Sequence, residues 1–173
     1  MAVKLAPYFS SFGDMAVQLD KHGADGLVLF NRFFQPEIDI ETLEMVPGVA
    51  LSNPFDGRLP RTWIASLRGR VRASLAGTSG VESSDDVVRY LLAGADVAMT
   101  TSSLVRHGPQ HAKSLLKGLE QWMQRKGYGS VDEFRGLLAV PLDVDADSYE
   151  RAGYVAALER AKATYGSFVG IHR

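Results

Sequence analysis

The chain has 173 residues, 46% of them apolar and 23% charged, with a net charge of −1 and no cysteine. Those figures fit a globular protein with a core and exclude a mainly disordered chain, a phosphate-tracking nucleic-acid binder, disulfides, thiolate–zinc sites and a cysteine nucleophile. The length predicts one domain over 1–173, and the missing cysteines and short apolar runs predict a cytoplasmic protein with no membrane span.

Met1 to Phe9 reads as a strand that Pro7 stops, because proline cannot donate to a sheet ladder. This opening is not a basic and then apolar leader. A helix is predicted over Asp14–Lys21, with Met15, Ala16 and Leu19 on one face and Gly23 at its end. Leu27-Val28-Leu29-Phe30 is an apolar run without alternation, which suits a parallel strand covered on both faces. An irregular excursion with four prolines follows at about 32–60. Its place after a strand suits a binding loop. Leu59–Val71 reads as a helix with Trp63, Ile64 and Leu67 on one face.

The pattern then recurs. Residues 73–76 read as a strand, Gly77-Thr78-Ser79-Gly80 as a turn, and Asp85–Ala93 as a helix that Ser83 or Ser84 can cap. Val97–Thr100 is the next strand. Gly-Ala-Asp stands at both helix-to-strand junctions, at 23–25 and 94–96. This predicts repeated β-α-β units, hence right-handed crossovers and a parallel sheet. Helices are predicted over Gln110–Arg125 and about Ala146–Tyr165, with a Ser130/Glu133 capping box between them. The tail from Gly166 is expected to fray. Four parallel strands (3–6, 27–30, 73–76 and 97–100) fit half of an eight-stranded barrel or a small open sheet.

Four features could carry chemistry. The glycine turn at 77–80 and the helix start after it offer backbone N–H groups to an anion, and Thr101-Ser102-Ser103 could add hydroxyls. A tight strand-to-helix turn explains the same residues. Lys4 is a charge inside a strand expected to be covered on both faces. It needs an anionic partner there, and is merely solvated if the strand lies at an edge. Asn31 closes a strand at its carboxyl end, where α/β proteins place their sites, although asparagine also simply turns chains. His107 and His111, four apart, are expected on one helix face; with no third ligand nearby, no metal site is expected. Asp143, Asp145 and Asp147 lack the glycine and terminal glutamate of a calcium loop. Arg32, Arg68 and Arg70 could bind anions but read more simply as solvated cations, and Trp63, Trp122, Phe33 and Phe34 as packing residues.

The segments Val3–Phe9 and Gly26–Phe33, then Gly77–Val81, Leu91–Val97 and Leu104–Pro109, resemble in order the last four strand–helix units of class 1 dihydroorotate dehydrogenases. Tyr149–Tyr154 resembles the carboxyl terminus of the bacterial dihydroorotate dehydrogenase-like branch. The resemblance implies an α/β fold: half of a TIM (β/α)8 barrel, matching strands 5–8, plus carboxyl-terminal helices. It implies an FMN-dependent oxidoreductase converting dihydroorotate to orotate in pyrimidine biosynthesis. Lys4 matches the lysine that contacts the flavin and serves catalysis, and Asn31 an asparagine that binds substrate. Gly77, Ser79 and Gly80 match one phosphate-binding turn, and Thr101 and Ser102 a second. Three departures stand out: Ser79 replaces one of two adjacent glycines, Thr101-Ser102 replaces Gly-Thr, and Arg32 replaces a Ser or Thr after the asparagine. The family's catalytic base, a Cys or Ser, precedes the matched region. The resemblance therefore implies a complementing amino-terminal half-barrel chain or a homo-oligomer. The alternatives are a non-catalytic flavin- or phosphate-binding module and a truncated gene product inactive on its own.

Overall fold

A computed structural model describes residues 1–32, 36–48, 50–144 and 146–165. Phe33, Phe34, Asp145, the side chain of Asp147 and the tail from Gly166 lie outside the described residues. The chain forms two compact units, Met1–Val140 and Pro141–Arg173.

The first unit is built on strands β1 (Ala2–Leu5), β2 (Gly26–Leu29), β5 (Ser74–Thr78) and β6 (Val97–Met99). They lie side by side in that order, all parallel. Helices α1 (Phe12–Lys21), α2 (Arg58–Leu67) and α3 (Ser84–Ala93) connect and cover them. Leu27 and Leu29 of β2 and Leu75 of β5 are essentially inaccessible to solvent. They pack with Phe12, Ala16, Ile64, Leu67 and Tyr90 into one core. Removing a leucine side chain of this size from water stabilises by about 2 kcal/mol. Phe12 ties α1 to its neighbours, with its ring edge-on to Phe30 and Trp63 at 4.7 and 4.8 Å.

The Gly-Ala-Asp repeat has one structure at both places. Gly23 and Gly94 take left-handed backbones (φ +91° and +112°). Ala24 and Ala95 are buried, and their N–H groups donate five residues back, to Leu19 and Tyr90. That is the Schellman end of a helix. Asp25 and Asp96 then lead into the neighbouring strands.

Several boundaries differ from the sequence reading. The third parallel strand runs 74–78 rather than 73–76, because Gly77 and Thr78 pair with Ala98 and Met99. Helix α2 stops at Leu67 rather than Val71, since Gly69 takes φ +82°. The excursion contains an antiparallel pair, β3 (Glu37–Asp39) and β4 (Glu44–Val46), and a short 3-10 turn at Pro54–Gly57. Helix α4 (Ser102–His107) precedes α5 (His111–Lys126). Gly108 and Pro109 break the chain between them, so His107 and His111 lie on two helices, although their rings remain 4.7 Å apart. Phe134 is fully buried against Trp122 and Tyr128 after α5. The second unit contains α6 (Ala146–Tyr165).

Among the described residues of the first unit, α1, α2 and α3 cover one face of the sheet. Val28 of β2 is half-buried between two inaccessible leucines, and Lys4, Val97 and Met99 on its face are exposed. The expectation of strands covered on both faces is not met among the described residues of this unit.

Candidate functional site

The carboxyl ends of the strands open into a cleft of about 190 Å³. Lys4 reaches it from β1, Phe30, Asn31 and Arg32 from the end of β2, Thr78 and Ser79 from β5, and Thr100, Thr101 and Ser102 from the end of β6. Ser52, from the excursion, completes the wall. A second hollow of about 210 Å³ shares Phe30, Asn31, Arg32 and Ser79, and adds Pro7, Tyr8, Asp56 and Leu59.

Five of the sequence-derived candidates, Lys4, Asn31, Ser79, Thr101 and Ser102, therefore meet in one cleft. Gly77 and Gly80 stand apart from its lining, and packing accounts for both. A β-carbon on Gly77 would lie 2.2 Å from the Tyr90 ring. The Tyr90 hydroxyl in turn donates to the carbonyls of Thr78 (2.9 Å) and Ser79 (2.7 Å), which holds the turn. Burial pushes the Tyr90 hydroxyl far above its ordinary pKa, so it stays a donor. A β-carbon on Gly80 would lie 2.5 Å from the Gly57 nitrogen, and Gly80 has φ +68°. Ser79 takes φ +79° without being glycine. That conformation suits the glycine the resemblance leads one to expect there.

The start of α3 carries its own carboxylates. Ser83 and Asp86 form a capping box, and Asp86 accepts from Ser83 Oγ at 3.0 Å and from the N–H groups of Glu82 and Ser83 at 3.2 and 3.1 Å. Asp85 and Asp86 also place two carboxylates in the first turn. Burial pushes the Asp86 carboxyl up, but these hydrogen bonds hold it below its ordinary range, so it stays charged.

The hydroxyl wall is positioned by its neighbours. Ser102 Oγ accepts from Ser52 N (3.0 Å) and Ser52 Oγ (2.9 Å). With both lone pairs used, the Ser102 hydroxyl is left as a donor. Arg106 donates to the Ser52 carbonyl (2.8 Å) and to Glu82 (2.6 Å), so it clamps the excursion to the approach of α3. His107 hydrogen-bonds Glu82 (2.5 Å) and, with Arg106, holds that carboxyl below its ordinary range. Thr100 Oγ1 donates to the Val81 carbonyl at 2.9 Å, while Ser103 beside it is fully buried.

The cations differ in availability. Arg32 donates to the Ala50 carbonyl (2.7 Å) and lies 3.9 Å from Asp56. Arg68 pairs with Asp96 at 3.0 Å, at the amino ends of β5 and β6, away from the cleft. Lys4 stands exposed on the edge strand β1, at the rim of the cleft. Among the described residues, the cleft lining contains no carboxylate and no imidazole; beside the Phe30 ring stand two cations, an amide and hydroxyls. Such a set has the chemistry to receive an anion. Sequence reasoning missed Ser52 and Thr100, and held Thr78 only as part of the 77–80 turn. Thr78 followed from the true end of β5, but nothing local in the sequence marked Ser52.

The comparisons with known proteins agree with the residues. The chain is 29% identical over 138 residues to the catalytic subunit of dihydroorotate dehydrogenase B (NAD(+)) from Caldicellulosiruptor saccharolyticus. It is 28% identical over 145 residues to the same subunit from Methanothermobacter thermautotrophicus. The chain is similar to dihydroorotate dehydrogenases. The matches cover 78% and 79% of this chain but only 45% and 46% of those relatives, so it spans about half their length. Two crystal structures of Eimeria tenella DHODH, one with ferulenol and one ligand-free, superpose with TM-scores of 0.65 and 0.66 at 21% identity. They cover 81% of this chain and 38% and 40% of those chains, and support the α/β fold. No family model matches the chain. Among the described residues, no helix is long and apolar enough to cross a membrane.

Proposed function

We propose that this chain is the phosphate-holding part of a flavin-dependent, dihydroorotate dehydrogenase-like oxidoreductase. The observation that carries the reading is the convergence of Lys4, Asn31, Ser79, Thr101 and Ser102, from four different strand ends, on one cationic and hydroxyl-lined cleft. The donor set suits a phosphate monoester such as that of FMN: the Ser102 hydroxyl donates, Thr101 and Ser79 stand beside it, and Lys4 supplies uncommitted positive charge. Gly77 and Gly80 act indirectly, by letting Tyr90 and the Pro54–Gly57 turn hold the 78–80 backbone in place. When bound, the flavin would supply a two-electron acceptor. Lys4 would stabilise negative charge at the rim of the cleft, and Asn31 would orient a dihydroorotate-like substrate through its amide. The reading places the protein in cytoplasmic pyrimidine biosynthesis.

A second reading has its own observation. The cleft lining contains no carboxylate, imidazole or thiol to take a proton from carbon. A flavin- or phosphate-binding module without turnover, or a truncated product inactive alone, would look the same. One experiment orders these readings. The chain is incubated with FMN, desalted, and its visible absorbance recorded before and after adding dihydroorotate under anaerobic conditions. A retained flavin band that bleaches supports the enzyme; a band that persists supports the binding module; a bare protein spectrum overturns flavin binding.

A further inference from the structure

Ser102 stands in the cleft, but it belongs to α4, a helix of only six residues. A helix that short does not hold itself, so tertiary bonds set where Ser102 points. Arg106 lies four residues further along α4, on the same face. One residue of the excursion, Ser52, bridges the two. Its N–H and hydroxyl donate to Ser102 Oγ at 3.0 and 2.9 Å, and its carbonyl accepts from Arg106 Nη2 at 2.8 Å. Ser52 is buried, so these bonds form away from water, where they count for more.

Arg106 is itself held. Its Nη1 donates to Glu82 Oε2 at 2.6 Å, and Glu82 Oε1 accepts from His107 Nε2 at 2.5 Å. His111, at the start of α5, donates to the Glu82 carbonyl at 2.9 Å, and the Glu82 N–H donates to Asp86 at 3.2 Å. One guanidinium fork thus ties the approach of α3 to the excursion. A single-point ammonium could not reach both partners. Arg106 stands outside the cleft lining, so any effect it has on a bound anion runs through Ser52 and Ser102.

We infer that Arg106 is a positioning residue for phosphate recognition: by docking Ser52 onto α4 it keeps both lone pairs of Ser102 Oγ occupied, which leaves the Ser102 proton for the ligand. The inference rests on the reading of the cleft as a phosphate site, and names what sets the preference of that site. With Ser52 undocked, the Ser102 hydroxyl is free to rotate and to donate to nearby backbone carbonyls instead. A phosphate ester then loses one fixed donor. A ligand without the phosphate loses nothing, because it never used that donor.

The test is the ratio of FMN to riboflavin affinity, by fluorescence titration of the 173-residue chain and its variants. Arg106→Gln is expected to weaken FMN by about tenfold and to leave riboflavin within about twofold. A merely structural role would weaken both flavins together. Arg106→Lys keeps a cation beside Glu82 but not the fork, so it folds even where Arg106→Gln does not, and its FMN preference is expected to fall as far. Ser102→Ala is expected to show the same loss, and adding Arg106→Lys to it should cost nothing more, because the two residues act through one proton. Arg106→Lys with the wild-type preference overturns the inference, since charge alone would then account for the effect. Losses that multiply in the double variant also overturn it. A wild type that binds both flavins equally removes the phosphate reading and this inference with it. A wild type that prefers FMN, with that preference unchanged in Arg106→Lys, removes this inference alone.

Discussion

The two ends of the parallel sheet use polar groups in opposite ways. At the amino end, carboxylates are consumed in holding the strands. Asp20 Oδ1 accepts from the N–H groups of Arg72 (3.0 Å) and Ala73 (2.8 Å) where the chain enters β5. Asp96 accepts from the Leu75 N–H (2.8 Å) and pairs with Arg68 (3.0 Å) and Arg135 (3.1 Å). At the carboxyl end, the cleft lining has no carboxylate among the described residues, and Lys4 and Ser102 stand in it. One end is internally neutralised and the other is left with donors. In α/β folds that division separates stability from binding.

The comparison breaks most visibly at Asp96. Replacing it by alanine should cost about 2–3 kcal/mol, because two arginines and a strand N–H lose one shared partner. Urea denaturation would show this, and flavin affinity of the folded fraction should be unchanged. Burial pushes the Asp96 carboxyl up, but the Leu75 N–H and Arg68 hold it net below its ordinary 3.8. Its contribution is therefore fully present above that value and is lost as pH falls through the lowered pKa. Stability measured against pH in Asp96→Asn should lack that acid-side loss.

Lys4 should behave in the reverse manner. Lys4→Met removes an exposed charge, so stability should move by no more than about 0.5 kcal/mol. Flavin affinity should fall by about tenfold, roughly 1.4 kcal/mol. Thermal melts and a fluorescence titration of the same sample separate the two effects. A variant that unfolds would show that Lys4 belongs to the scaffold instead. The smallest effect is expected at Ser79. Ser79→Gly relieves a left-handed backbone and should stabilise by up to about 1 kcal/mol, seen as a raised melting temperature, with flavin affinity kept or improved.

The repeat was legible because its parts are local. A left-handed glycine ends each helix, a buried alanine follows, and an aspartate leads into the next strand pairing. Strand direction and order followed from that repetition. The meeting of Lys4, Asn31, Ser79, Thr101 and Ser102 was legible through the resemblance and through strand ends, which α/β topology brings together. What local sequence could not show was long-range. Gly77 gains a packing role once the Tyr90 ring is seen against it, and the α3 start gains neighbouring carboxylates once Asp86 is seen to hydrogen-bond the backbone before it. The β3–β4 pair and Ser52 depend on how an irregular segment folds back over the strand ends. The open face is the instructive mismatch: a composition suited to two covered faces meets described residues of the first unit that cover one.

The central claim is that the carboxyl-end cleft recognises a phosphate ester. The most direct measurement is a side-by-side fluorescence titration with FMN and with riboflavin, which differ only in that phosphate. The account predicts that FMN binds at least about tenfold more tightly, a difference of roughly 1.4 kcal/mol, and that inorganic phosphate competes with it. Equal affinity for the two flavins, or binding of neither, would contradict it.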